Sequence, residues 1–341
     1  MNAPVIVFVD NSSSVLSALK RMLRLSHRDW EMHFFSDPVQ ALEQLADLLP
    51  WVIVADRCLQ EMDGIDFLQQ AAVVSPQSVR VLFSGDAKVE SALKATAAAH
   101  MVMRKPFERE VIDDLLTRAR VLHQLPLSEK ARASLGLLDN MPVLPGIYQQ
   151  ITQALEKDEP DVAEVAGLIR HDQVLLSRVL QLVNSPFFGF TTRTHDVDVA
   201  VMRLGLQTIH NLVLIIELYQ PGQGSNGDTG SRLMREALLL AEQVGVLCDG
   251  RGVSKAVRNL AVISALLHNI GQLVHVGGAR EYPLVGAYLL ELWGFESEVI
   301  EAVQHQLDDD LPDDCDAAVE LLNTALKMQH GHSAASQEDD A

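Results

Sequence analysis

Four polar residues in the first third of the chain each close a run of apolar ones. Asp10 follows Val5–Val9, Asp56 follows Trp51–Ala55, Ser84 follows Val79–Phe83, and Lys105 comes just after Met101–Met103. Together these side chains could carry phosphoryl transfer. A carboxylate such as Asp56 can act as a nucleophile toward phosphorus. Magnesium takes oxygen ligands, which Asp10, Asp56 and the amide oxygen of Asn11 can supply, and it screens the charge of an incoming phosphate. The Ser84 hydroxyl can donate to one phosphoryl oxygen and the Lys105 ammonium can pair with another. A cis bond between Lys105 and Pro106 is one way to aim the lysine back at such a site.

Chemistry of this kind needs the four residues in one place, and the elements between them supply the reason. Continuous apolar runs suit strands covered on both faces. Between the runs, Val15, Leu16, Leu19, Met22 and Leu23 recur at helical spacing, as do Ala41, Leu42, Leu45, Leu48 and Leu49. Strands alternating with helices predict a parallel, doubly wound sheet, and such sheets gather ligands at the carboxyl ends of their strands. Any one of the four, alone, would read as a turn or cap residue; their common position at run ends is what singles them out.

The motifs around them are VDN at residues 9–11, Asp56 with Met62-Asp63-Gly64, FSGD at 83–86 and RKPF at 104–107. This set resembles the response-regulator receiver family. The resemblance implies a flavodoxin-like α/β domain over residues 4–122, with Asp56 as phospho-acceptor and a sensor histidine kinase as partner. It implies magnesium held by Asp10, Asn11, Asp56 and the backbone carbonyl of Cys58, with Ser84 and Lys105 on the phosphate. Two positions depart from the family's pattern. Asn11 stands where a second acid is usual, which weakens a magnesium site, and Val102 stands where a Tyr or Phe usually reports phosphorylation. The helix beginning near Val89 and the strand around Val102 are where the family presents its change to partners.

Beyond residue 108 the periodicity is helical. Pro126 interrupts it, Ser128–Leu138 resumes it, and Pro142 and Pro145 mark entry into a further domain. Residues 123–138 thus read as a helical linker, 139–326 as an all-α domain and 327–341 as a disordered tail. Pro160-Asp161 with Glu164 reads as a helix start of the capping-box type. The glycine-rich stretch Gln223–Gly230 reads as a mobile loop. MPVLPGIYQQI, LIRHDQVLLSRVLQLVNSPFFG, DVAVMRLGLQTIHNLVL, ALLHNIGQLV and GAYLLELWGF resemble the HDOD family, the HD-related output domain. That resemblance implies a signalling module that docks proteins, with a cyclic-di-GMP-metabolising enzyme among the downstream partners.

HD-type hydrolases need an adjacent His-Asp pair and further ligands for their metals. Here the matching pair is His268-Asn269, with Glu236 and Tyr282 at two further ligand positions; of the expected set only His268 and His305 remain. His268 reads as a packed core histidine, and the pair as a degenerate site without catalysis. A degenerate metal phosphodiesterase, and a module that binds a nucleotide second messenger without cleaving it, are the alternatives. Two other doublets, His171-Asp172 and His195-Asp196, read as helix starts, because Asp caps helices.

Composition narrows the class. The formal charge is −19, unsuited to nucleic acid, whose binding relies on clustered Lys and Arg. No stretch reaches the length of a transmembrane span, and the N-terminus lacks a secretory pattern, so the expectation is a cytoplasmic protein. Cys58, Cys248 and Cys315 stand singly, as suits a reducing compartment. Asp308, Asp309, Asp310, Asp313, Asp314 and Asp316 form an acidic, solvated loop. The sequence leaves a homodimer open.

Overall fold

The computed structural model describes residues 3–24, 27–85, 98–106, 108–136, 147–155, 157, 159–184, 190, 192–206, 208–209, 213, 227–274, 281–293, 295–311 and 314–338. Backbone contacts divide the chain into two compact units, the first chiefly Met1–Asn140 and the second over Met141–Val183, Arg193–Glu291 and Phe295–Ala341.

In the first unit, strands β1 (Val5–Val9), β2 (Glu31–Phe35), β3 (Val52–Asp56), β4 (Val79–Ser84) and β5 (Met101–Arg104) form one parallel sheet in the order β2-β1-β3-β4-β5. Helices α1 (Ser13–Leu23), α2 (Pro38–Leu48) and α3 (Gly64–Val74) alternate with the first strands. The core is made of β-strand residues Val7, Val9, Ile53, Ala55 and Leu82 packed on helix residues Ala41, Leu45, Phe67, Leu68 and Ala71. Every residue of β3 and β4 is buried, the polar Asp56, Arg80 and Ser84 included, as strands covered on both faces require. Strand β2 has no counterpart among the four apolar runs. It is an edge strand of sequence EMHFF with only its last residue buried, and half-exposed edges tolerate Glu and His. Leu49, placed above in a helical repeat, is instead the left-handed C-cap of α2 at φ 45° and is 59 % exposed.

Helix α4 (Arg109–Gln124) ends before Pro126, and α5 (Glu129–Gly136) follows. The break is structured. Ser128 Oγ caps the Ala131 N–H at 3.1 Å, and Arg132 Nη2 donates to the carbonyls of His123 and Leu125 at the end of α4, at 3.0 and 2.6 Å. The last turn of α5 is tied to the sheet by Arg80, a fully buried residue of β4 whose Nη2 donates to the Gly136 carbonyl at 2.8 Å. A side chain at Gly136 would meet the Pro76 carbonyl oxygen at 1.8 Å, so only glycine permits this approach. The helix expected near Val89 falls in residues 86–97, outside the described residues.

The second unit is helical throughout its described residues. It contains α6 (Ile147–Leu155), α7 (Val162–Arg170), α8 (Gln173–Val183), α9 (Val197–Leu204), α10 (Gly227–Arg251), α11 (Lys255–Leu267), a 3-10 turn at Ile270–Leu273, α12 (Tyr282–Leu292), α13 (Ser297–Gln304) and α14 (Ala317–Glu338). Helices α10, α11, α13 and α14 pack on one another, as do α7, α8 and α9. Asp172 and Asp196 are caps as expected. Asp172 accepts from Leu175 N at 2.8 Å, and Asp196 accepts from the N–H groups of Asp198 and Val199.

Three expectations need correction. Asp161 caps α7 by accepting from Ala163 N at 2.9 Å, but Glu164 does not complete a capping box; its carboxylate is taken by Lys157 Nζ at 2.6 Å. Gly227–Gly230, assigned to a glycine-rich loop, form the first turn of α10; Gln223 to Asn226 lie outside the described residues. The segment read as a disordered tail is helical as far as Glu338, because Ala334, Ala335, Gln337 and Glu338 are compatible with continuing α14.

Candidate functional site

The parallel register brings the four polar run ends together. Asp10 N donates to Phe35 O at 3.1 Å, Arg57 N to Phe83 O at 2.8 Å, and Lys105 N to Ser84 O at 2.8 Å, so adjacent strands finish level at one edge. There Lys105 Nζ lies 2.5 Å from Asp10 Oδ2 and 2.7 Å from Asp56 Oδ1. Asp10, Asp56 and Ser84 are 2 %, 7 % and 2 % exposed. Asp10 Oδ1 also accepts from Ser12 N at 2.8 Å. The Lys105–Pro106 peptide is cis. Gly64, at the start of α3, closes the other side. A Cβ there would sit 2.1 Å from the Asp56 carbonyl oxygen, and Gly64 N donates to Arg57 O at 2.9 Å.

Burial pushes the Asp56 carboxyl above its usual range; Lys105 pulls the other way, and the charge of Asp10 adds to the rise. Burial works to depress the Lys105 ammonium, but Asp10 and Asp56 outweigh it and raise its pKa. The lysine therefore stays protonated. Two carboxylates against one ammonium leave this buried cluster one negative charge in excess. An all-oxygen donor set with spare negative charge suits a hard divalent cation. Asn11 is exposed in the bend after β1, Cys58 is exposed beyond β3, and Val102 is buried in β5.

The second unit has its own buried polar cluster, built around His268-Asn269 at the end of α11. Asn269 is fully buried. Its Nδ2 donates to the Leu233 carbonyl of α10 at 2.9 Å, and its Oδ1 accepts from Gln173 Nε2 of α8 at 2.6 Å. Gln173 Nε2 also donates to Leu266 O at 2.6 Å, so its two N–H groups are both used. Gln306 Nε2 donates to His268 O and Val303 O at 2.8 and 2.7 Å, and Asn323 Nδ2 donates to Gln306 O at 3.2 Å. His268 Nδ1 lies 2.7 Å from Ala265 O. A carbonyl only accepts, so the neutral ring carries its proton on Nδ1. Burial lowers the His268 pKa to about 4, against a smaller upward pull from the Ala265 bond and Glu236.

Glu236 acts electrostatically on both His268 and Tyr282. Glu236, His268 and Tyr282, the residues that the resemblance sets at HD ligand positions, thus lie near one another, and they are a carboxylate, an imidazole and a phenol. His305 is not joined to them; its Nδ1 pairs with Asp308 at 2.7 Å. Among the described residues, no group of three or more His, Cys, Asp or Glu is arranged to hold a metal. Sequence reading missed Gln173, Gln306 and Asn323; Gln173 and Asn323 lie in helices rich in apolar residues, whereas Gln306 lies in the turn after α13 and carries no such signal.

Comparison with known proteins agrees with both halves. The response regulator receiver domain family matches residues 6–117, and the HDOD domain family matches residues 141–284. The chain joins a response-regulator receiver domain to an HDOD domain. Curated relatives include the transcriptional regulatory protein PrrA of Mycobacterium leprae, 27 % identical over 217 residues that cover 61 % of this chain and 89 % of PrrA. An uncharacterised protein of Treponema pallidum is 29 % identical over 183 residues, 51 % of this chain; the match spans about a third of that protein's length, 34 %. Among solved structures, the signal receiver domain of an HD domain-containing protein from Pseudomonas fluorescens Pf-5 is 26 % identical, with a TM-score of 0.33, covering 35 % of this chain and 88 % of that one. No helix of the described residues is long and apolar enough to cross a membrane.

Proposed function

We propose that the receiver domain accepts a phosphoryl group on Asp56 from a sensor histidine kinase, and that this controls an HDOD domain which docks a signalling protein rather than catalysing a reaction. The observation that carries the first part is the pairing of Lys105 with both Asp10 and Asp56. The lysine holds the acceptor carboxylate at the strand edge and is the cation available to a phosphoryl oxygen once transfer occurs. In that step an Asp56 oxygen bonds to phosphorus, the bond from phosphorus to the donor breaks, and its electron pair leaves with the donor. Asp10, Asp56, the Asn11 amide oxygen and the Cys58 carbonyl are the groups that would hold magnesium, which would neutralise charge on the transferring group. The Ser84 hydroxyl is the second donor to the phosphate.

The Asn269 network supports the non-catalytic reading. An aspartate at this position would accept from Gln173 but leave the Leu233 carbonyl without a donor and place an anion in a fully buried position. Asn269 serves as a two-way amide, which supports a structural role over a metal-binding one. A cyclic-di-GMP-metabolising enzyme is the partner class that the HDOD relationship suggests.

The receiver also has a route to its linker. Ser84 ends β4, and Arg80 of the same strand holds the last carbonyl of α5. The test joins both points. Acetyl phosphate with magnesium is expected to add one phosphoryl group by intact mass, and Asp56→Ala to abolish it. Beryllofluoride is expected to change hydrogen-exchange protection in α5 and beyond residue 141. Labelling that survives Asp56→Ala refutes the acceptor, and protection changes confined to residues 1–125 refute control of the output.

A further inference from the structure

The face of the receiver formed by α1 and edge strand β2 carries a feature that phosphotransfer leaves unused. An open groove of about 830 Å³ is lined by Lys20, Arg21, Arg24, His27, Arg28, Trp30, Met32 and Phe34. Lys20, Arg21, Arg24 and Arg28 are exposed, and among the described residues none of them pairs with a carboxylate. The acids that do lie nearby are taken: Asp113 by His27 and Arg109, and Asp29 by Arg120. The aromatic part of the lining is preorganised. Phe34 stacks on Phe8 at 5.2 Å, and Lys20 Nζ stands 6.0 Å over the Phe34 ring. Trp30 is 5 % exposed, and its indole N–H has no hydrogen-bond partner. The Trp30 ring is packed edge-on against Trp51 at 5.9 Å and forms the floor of the groove. Beside the groove, β2 is paired on one side only.

The groove therefore fits a segment that is both acidic and apolar. The chain carries one. Leu307–Asp316 reads LDDDLPDDCD. Leu307 is 41 % exposed, Asp308, Asp309, Asp310 and Asp314 are exposed, and Leu311 is half-buried. Among the described residues the carboxylates of Asp309, Asp310 and Asp314 pair with no cation. In a chain of net charge −19, four cations in one groove and the acids Asp309, Asp310 and Asp314, all unpaired among the described residues, are complementary in charge.

We propose that the α1–β2 groove of one protomer receives the Leu307–Leu311 segment of a second copy, the two exchanging the contact reciprocally in a twofold dimer. Acids meet Lys20, Arg21, Arg24 and Arg28, and the leucines meet Met32 and Phe34. Because the same two patches pair in both directions, the contact closes on itself and does not propagate.

Sedimentation equilibrium on the full chain tests this. Wild type is expected to dimerise, with affinity falling at least about tenfold between 0.05 and 0.5 M salt, as ion pairing across an exposed interface is screened. Arg24→Glu/Arg28→Glu and Asp309→Lys/Asp310→Lys each place like charges in both contacts and are expected to be monomeric. Mixing the two variants restores opposite charges in both contacts, so a heterodimer is expected from two proteins that do not self-associate, which also shows that both are folded. A wild-type monomer at all concentrations and salts overturns the proposal. So does a dimer that survives either charge reversal, or a mixture that stays monomeric.

Discussion

The two buried polar clusters of this protein handle charge in opposite ways. In the receiver domain, Asp10, Asp56 and Lys105 are ionic, meet at strand ends and leave one negative charge uncompensated. In the HDOD domain, Gln173, Asn269, Gln306 and Asn323 are neutral amides whose N–H groups end on backbone carbonyls or on each other, around a histidine that burial keeps neutral. A cluster with excess charge has something left to bind. A cluster whose amide N–H groups are spent within the fold stabilises helix packing and has few donors left for a ligand; its one open group is Gln306 Oε1, a buried acceptor without a partner among the described residues. The difference lies in the hydrogen-bond inventory of carboxylate and amide: the first only accepts, the second does both.

The strongest challenge to that contrast is Asn269→Asp. It removes the donor to Leu233 O and puts a carboxylate in a fully buried site, and is expected to cost about 3–5 kcal/mol of stability. Thermal unfolding measures this. A variant that keeps its stability and binds one equivalent of manganese or zinc would mean that the helical cluster is a metal site lacking a single ligand.

Removing Lys105 tests the charged cluster in the same way. Lys105→Met leaves two carboxylates facing each other and is expected to cost about 2–4 kcal/mol at pH 7. The native carboxyls then titrate higher than in the unfolded chain, so the folded form binds more protons and acidification toward pH 4 recovers part of the loss. A cost independent of pH would show that the lysine acts by packing alone.

His268 gives the next largest effect. Its folded pKa is about 4 against an ordinary 6.5. The unfolded chain therefore binds the extra proton between these values, and stability is full above about pH 6.5 and lost as pH falls toward 4. The expected size is on the order of 2–3 kcal/mol. His123, stacked on Trp51 at 3.8 Å and likewise lowered to about 4 by burial, acts in the same sense; Asp56, with its raised pKa, opposes them. Denaturant unfolding of His268→Gln against wild type isolates the one residue. An unchanged pH slope would mean that the ring is not buried neutral.

Asn11→Asp is expected to have the smallest effect, a few-fold faster labelling by acetyl phosphate at limiting magnesium, from one added carboxylate at an exposed position. Unchanged magnesium dependence would place Asn11 away from the metal.

Most of the charged cluster was legible in the chain, and most of the neutral one was not. Asp10, Asp56, Ser84 and Lys105 could be found because each ends an apolar run, and a parallel sheet sets the ends of its strands along one edge. His268-Asn269 was visible as a doublet with the wrong second residue, but its partners were not. Gln173 lies 96 residues from Asn269, and Leu233 lies 36 away and contributes only a carbonyl, which every residue has.

What the sequence by itself determined was the alternation of elements, the two-domain order and the residues gathered at the strand ends, because these follow from local periodicity and from the geometry of parallel sheets. Tertiary structure alone decided that the mixed run EMHFF becomes the edge strand β2 and that Glu164 turns to Lys157 instead of closing a capping box. It also decided that Asn269 serves α8, α10 and α11 at once. In each case the outcome depends on which groups arrive from elsewhere in the chain to cover or pair a residue, and local pattern carries no record of those arrivals.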